Sequence, residues 1–211
     1  MQVYRASENI RRRVIRQSKK SIRSARNINL PLKHYAGDPV HNEPEFEEDS
    51  QGETTLNAFL RKPELWRTNQ VKLQLNDESL WFEFDFLDIA TLLLEEYGIT
   101  DVPLDCTVNW RISGRNWRFP RHFDCVHQYI VHLYGQKKWL LDDQEAVLKA
   151  GDILFLPMGT HHATRNIENC LIVNFQYVPE GMEDENERLR AKFEELFPKR
   201  VQNIDDMKDF R

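Results

Sequence analysis

The sequence predicts a mainly β domain, an antiparallel sandwich or barrel with α-helices at its flanks. Two observations lead there. About eight short segments, at 71–75, 81–86, 106–112, 128–134, 138–141, 146–149, 152–157 and 170–177, alternate in hydrophobicity or run apolar and are separated by turn residues. Consecutive short strands of this kind form antiparallel sheets, whereas parallel strands need a long crossover, usually a helix, between each pair. Helical periodicity is confined to three longer stretches, 5–26, 88–97 and 183–197. At 211 residues the chain suits one such domain with some appendages. The reading divides it into a basic N-terminal arm (1–30), an acidic Pro-containing linker (31–55), the barrel (56–180) and a C-terminal helical extension (181–211).

Taken in order, residues 5–26 (RASENIRRRVIRQSKKSIRSAR) are basic and free of Gly and Pro, with Ile10, Val14, Ile15 and Ile22 as a thin apolar stripe. A helix that narrow does not support itself. It reads as a solvated helix or tail, an organelle-targeting segment, or a contact for nucleic acid or an anionic membrane. The lack of interleaved aromatic residues weakens the nucleic-acid reading. Pro31, Gly37, Pro39 and Pro44, then six acidic residues in HNEPEFEEDSQGE, read as a loop or linker. Thr55 to Leu60 suggests a short capped helix that Pro63 limits. VKLQL (71–75) and WFEFDF (81–86) alternate as strands, and DIATLLLEEY (88–97) is a helix stopped at Gly98. CTVNWRI (106–112) is a strand, and SGRNWRFPR a loop that delivers His122. In the last helix Leu189, Phe193, Leu196 and Phe197 form an apolar side, which packs on the barrel or pairs with a second subunit as a homodimer.

Composition narrows the class. No apolar run approaches a membrane span, and no short apolar stretch follows Met1 as in a secretory signal. Cys106, Cys125 and Cys170 are odd in number and widely spaced, which suits a reducing, cytoplasmic-type compartment better than a disulfide framework. Residues 1–30 hold nine Lys and Arg against the single Glu8, so residues 31–211 carry −13 within a total of −5. An acidic body favours a basic partner by long-range steering.

Five of the seven histidines fall between His122 and Asn166. His122 and Asp124 lie two apart at the mouth of an apolar run; in an extended strand both would face one way and could grip one ion. Further on come Gly151, Pro157, Gly159, His162 and Asn166, a strand, a turn and a re-entered strand that presents His162 as a third ligand. Two imidazoles and one carboxylate leave the opposite face of a metal open. That donor set fits a non-haem Fe(II) oxygenase, with zinc as the competing ion. Gln128 shares the His122 and Asp124 face if the strand is regular. Asn174 is a polar side chain in the apolar LIVNFQY and needs a partner there. Tyr129, Trp117 and Trp139 either border the pocket or belong to the core.

The spacing Gly-x5-Pro-x-Gly-x2-His-x3-Asn resembles the second motif of the cupin superfamily at every defined position. His-x-Asp, GQKKW and VNFQY resemble its JmjC branch, and the resemblance covers roughly 105–178. It implies a double-stranded β-helix, a catalytic metal triad of His122, Asp124 and His162, Fe(II) as the metal and 2-oxoglutarate as co-substrate. It also implies Lys137, two residues after Gly135, as the anchor for the distal carboxylate, Asn174 as a co-substrate contact, and the His162 register over His161. Phe119 stands where related enzymes carry a hydroxyl or amide residue. The activity so implied is hydroxylation of a protein side chain, with demethylation of an N-methyl-lysine as the same chemistry on another substrate. A cupin metalloenzyme acting on a small molecule without 2-oxoglutarate, and a non-catalytic metal-binding module, are the alternatives.

Overall fold

Antiparallel pairing sorts the chain into two sheets, and alternation along each strand decides what lies between them. The computed structural model describes residues 2–25, 61, 85–115, 117–142 and 144–196, and the backbone course of 31–36, 50–55 and 69–74. In chain order the described elements are β1 (Gln2–Tyr4), α1 (Glu8–Ala25), β2 (Pro31–Ala36), β3 (Ser50–Thr55), β4 (Asn69–Gln74), α2 (Asp85–Glu96), β5 (Thr107–Ser113), β6 (Arg118–His122), β7 (His127–Tyr134), β8 (Gln136–Leu141), β9 (Gln144–Lys149), β10 (Ile153–Leu156), β11 (His162–Asn166), β12 (Cys170–Tyr177) and α3 (Glu183–Leu196). The larger sheet has the order β1-β10-β7-β12-β5-β4-β2-β3 and the smaller β6-β11-β8-β9. The architecture is a jelly-roll, the double-stranded β-helix of the cupin type. No helix among the described residues is long and apolar enough to cross a membrane.

The central strands of the larger sheet, β7 and β12, are buried on both faces, which is why they read as almost unbroken apolar runs. Val131, Leu133, Leu171, Val173 and Phe175 face outward with Val108, Trp110 and Ile112, under Val14 of α1 and Phe86, Ile89, Ala90 and Leu93 of α2. Ile130 and Ile172 face inward and meet Leu154, Leu156, Trp139, Leu141 and Leu148 between the sheets. The interior is therefore apolar on one side, and Asn109, Gln128, Asn174, His162 and Lys137 are buried on the other.

The basic N-terminal stretch is built into this packing. β1 adds an edge strand to β10, pairing Val3 with Leu154. Ser7 Oγ accepts from Ile10 N at 3.3 Å and caps α1. Ser18 Oγ then donates to the Leu133 carbonyl at 3.0 Å, and Val14 is fully buried. The Asp152 carboxylate, 1% exposed, accepts from Ala6 N (2.9 Å), Lys149 N (3.0 Å), Arg5 Nη1 (2.9 Å) and Arg11 Nη2 (3.4 Å). Gly151 beside it has φ 87°, and a Cβ there would stand 2.8 Å from the Ala6 side chain. Of the readings open for 5–26, the free tail gives way to a packed helix.

Other differences have local causes. The loop expected over 31–53 contains β2 and β3, with His34 paired to Val71 and Leu32 to Thr54. Their pairing is made by backbone groups near a sheet edge, where no apolar alternation is required, and Pro31 stands at a strand's first residue. The helix expected over 55–60 and residues 81–84 of the strand expected over 81–86 lie outside the described residues, except that Thr55 ends β3. Asp85 and Phe86 begin α2 instead, and Phe86 packs on Trp110 with ring centroids 5.7 Å apart. The presumed loop before His122 contains β6, which pairs with β11. In α3, Leu189 and Phe193 pack against Phe123 and Met158, whereas Leu196 is 51% exposed and Phe197 lies outside the described residues.

Asp152→Ala removes the acceptor shared by β1, α1 and the β9–β10 turn. The unfolding midpoint in urea is expected to fall by the equivalent of about 3 kcal/mol, the scale for removing one partner of a buried ion pair. An unchanged midpoint would show that the clamp contributes nothing.

Candidate metal centre

Cross-strand pairing assembles the site. β6 ends at His122, β11 begins at His162, and the two residues are direct partners in the antiparallel ladder, so both imidazoles share the inner face. Their ring centroids are 4.2 Å apart. Asp124 lies past the end of β6, not within an extended strand as the two-residue spacing suggested. Its backbone is held instead by Gly159 N, which donates to the Asp124 carbonyl at 2.8 Å. Asp124 Oδ2 then stands 3.3 Å from His162 Nε2 and 3.9 Å from His122 Nε2. One donor atom from each of the three residues lies within 4.8 Å of the others.

Protonation suits a cation. His162 Nδ1 is 2.9 Å from the Thr160 carbonyl, which can only accept, so Nδ1 carries a proton and Nε2 is the nitrogen turned to Asp124. Burial alone would raise the Asp124 carboxyl, but contact with His162 and the charges of His122, His162 and Arg111 outweigh it. The net effect holds it well below the usual carboxylate range, so it is an anion at neutral pH.

The other expected residues are placed as follows. Gln128 faces inward, but its amide donates to Asp124 Oδ2 and accepts from Gln176 Nε2 at 3.0 Å, so it is engaged by protein groups. Lys137 lies on the inner face of β8 opposite Asn166, 4% exposed, with Nζ 5.7 Å from the Trp139 ring centroid. It makes no ion pair among the described residues. Burial, reinforced by the Arg111 charge and opposed by Cys170, pushes its pKa down to about 8. Asn174 is 1% exposed and its Oδ1 has no hydrogen bond among the described residues. Phe119 packs on His122 with centroids 4.4 Å apart, and Trp139 on His162 at 5.8 Å. Trp117 is buried. Tyr129 is on the outer face of β7, its hydroxyl donating to Asp101 at 2.9 Å, and so does not border the site. His161 turns away to Phe123, and Lys138 pairs with Glu145 at 2.7 Å.

Three inward residues, Asn109, Arg111 and Gln176, are absent from the sequence-based expectation. Asn109 donates to Gln176 Oε1 at 2.7 Å, and the Arg111 charge acts on both Asp124 and Lys137. The signal was present in TVNWRI, whose polar residues fall on one face of a strand and whose Val108, Trp110 and Ile112 fall on the other.

No family model and no curated protein sequence matches the chain. Solved structures do. YcfD, a ribosomal oxygenase from Escherichia coli, in complex with cobalt and 2-oxoglutarate, aligns over 78% of this chain and 45% of its own, at 13% identity and a TM-score of 0.51. The same protein with cobalt and succinic acid gives 78%, 44%, 14% and 0.50. A cupin superfamily protein from Desulfitobacterium hafniense covers 36% of this chain and 71% of its own at 14% identity and a TM-score of 0.34. The resemblance expected from the sequence thus holds as a likeness of fold, carried by YcfD. This chain spans less than half the length of YcfD.

The donor set fits a divalent transition metal: two imidazoles from adjacent strands and one carboxylate from the loop after β6, each offering one donor atom to the same point. Asp124→Asn is expected to weaken Co(II) binding more than about 100-fold, beyond what loss of an outer partner does, with the fold intact by circular dichroism. Binding equal to that of the native chain would remove Asp124 from the ligand set.

Proposed function

We propose that this chain is an Fe(II)- and 2-oxoglutarate-dependent oxygenase that hydroxylates a protein side chain. The observation that carries the reading is Lys137, a lysine 4% exposed on the strand beside the one bearing His162, without an acidic partner among the described residues. A cation taken out of water costs several kcal/mol unless an anion meets it. A bound dicarboxylate would be that anion, its other end reaching the metal. Asn174, with its unpartnered carbonyl oxygen, would supply a further polar contact. The fold shared with YcfD, solved with cobalt and 2-oxoglutarate or succinic acid, supports the reading, and that protein's being a ribosomal oxygenase supports a protein substrate.

Bound together, Fe(II) and 2-oxoglutarate supply oxygen activation coupled to decarboxylation of the co-substrate to succinate. The chain's own residues bind and orient. His122, Asp124 and His162 would hold the metal, and Phe119 and Trp139 wall their rings with apolar surface. The Ile130, Ile172, Leu154 and Leu156 side of the interior keeps the far end dry, which strengthens every charge contact inside.

Anaerobic addition of Fe(II) and 2-oxoglutarate is expected to give a metal-to-ligand absorption band. Lys137→Ala should weaken 2-oxoglutarate binding on the order of 100-fold, the loss of a charged hydrogen-bonding partner. Lys137→Met should do likewise while leaving stability equal or higher, because it removes a desolvated charge. Metal binding without 2-oxoglutarate binding would overturn the proposal and favour a cupin metalloenzyme of another kind. The pH dependence has a definite sign. Lys137 must be protonated to hold a carboxylate and is depressed to about 8 in the free protein; a bound anion raises that pKa. Binding therefore takes up a proton above pH 8, and the apparent Kd rises about tenfold per pH unit there. Lys137→Arg should flatten this rise, and titrations at pH 7, 8 and 9 would show it.

A further inference from the structure

We propose that Asn109, Gln176 and Gln128 form a directional amide relay that positions Asp124 for metal binding; this rests on the reading of His122, Asp124 and His162 as a metal site. The relay crosses three neighbouring strands. Asn109 on β5 donates to Gln176 Oε1 on β12 (2.7 Å), Gln176 Nε2 donates to Gln128 Oε1 on β7 (3.0 Å), and Gln128 Nε2 donates to Asp124 Oδ2. Gln176 and Gln128 are direct cross-strand partners, whereas Asn109 sits diagonally, paired with Asn174. Asn109 and Gln128 are only 1% and 2% exposed.

Its polarity follows from the charge at one end. An ionised carboxylate only accepts, so Gln128 must turn its NH2 to Asp124 and its oxygen to Gln176. Gln176 must then turn its NH2 to Gln128 and its oxygen to Asn109, and Asn109 must present its NH2. At the far end Asn109 Oδ1 is buried without a hydrogen bond among the described residues. A network serving packing alone would gain by satisfying that oxygen, since a buried unpaired acceptor is costly. Here each of the three amides turns its NH2 along the chain of bonds that ends at Asp124.

The effect on the ligand is geometric. Asp124 Oδ2 is the oxygen that faces the Nε2 atoms of both His122 and His162. Gln128 occupies one of its two lone-pair directions, which aims the other at the space between the imidazoles. The relay thereby fixes the carboxylate rotamer before a metal arrives and favours ligation through one oxygen. Gln128, Gln176 and Asn109 are positioning residues, acting on the metal through Asp124.

Co(II) titration of the full chain tests this, read by the visible d–d bands and by competition with a chelating dye. Gln176→Leu cuts the relay and is expected to weaken Co(II) binding about 10-fold, the low end for outer-shell partners. Gln176→Glu keeps the shape but can only accept, so Gln128 reverses and sets its oxygen against Asp124 Oδ2. The loss should then approach about 100-fold, with shifted d–d bands. Two rival accounts give the opposite order: packing alone makes the isosteric Glu milder than Leu, and an added negative charge near the site tightens cation binding. Asn109→Asp should reverse the relay from one residue further away and carries the test if Gln176→Glu does not fold by circular dichroism. Acidic variants that bind Co(II) as well as Gln176→Leu or better, with unchanged bands, overturn the relay while leaving the metal site in place. A native chain that does not bind Co(II) overturns both.

Discussion

The pairing of β6 with β11 is the constraint on which the site depends. It sets His122 opposite His162, and a slip of one residue would turn either imidazole to the outer face of the smaller sheet. The register is secured from three sides. β11 is also paired with β8 along its whole length, from His162 with Leu141 to Asn166 with Lys137. Asn166 Nδ2 ties that end to the larger sheet through Ser113 Oγ at 2.7 Å and the Gly114 carbonyl at 2.8 Å. At the other end Gly159 N holds the Asp124 backbone. The spacing of the Gly-Pro-Gly-His-Asn pattern is therefore a set of anchor points for one strand, and the ligand it carries is one product of them.

The interior is divided by chemistry. Its apolar side is ordinary close-packed core, whereas the wall formed by β5, β12 and β8 carries Asn109, Arg111, Asn174, Gln176 and Lys137. Asn109 and Gln176 meet one another there, whereas the buried Lys137 ammonium and the Asn174 carbonyl oxygen have no ion pair or hydrogen bond among the described residues, which lowers stability. The fold tolerates this because the larger sheet earns its stability on the opposite face, under α1 and α2, where Trp110, Phe86, Leu93 and Val14 are almost wholly buried. Core and site are thus placed on opposite sides of the same strands.

This arrangement also accounts for the uneven charge of the chain. The basic segment that looks detachable in composition closes the edge of the larger sheet and lays α1 over β7, with Arg5 and Arg11 committed to Asp152 and Arg13 to Glu96. α3 does the same for the other end, its Leu189 and Phe193 backing Phe123 next to Asp124. α3 thus backs the loop that carries Asp124, and α1 covers the outer face of the larger sheet.

The sequence by itself determined the fold class, most strand positions from β5 to β12, and the residues that meet as the triad. Period-two alternation, turn residues and motif spacing are local properties, and each is visible along the chain. β1, β2, β3 and β6 were not legible, because edge strands and short pairing segments depend on backbone hydrogen bonds to distant partners and need no apolar pattern. The tertiary structure alone decided that Asp124 reaches the histidines from a loop, that Gln128 serves Asp124, that Tyr129 faces outward, and that Asn109 and Arg111 enter the site. Each of these depends on which strand lies beside which, a long-range fact that no local pattern carries.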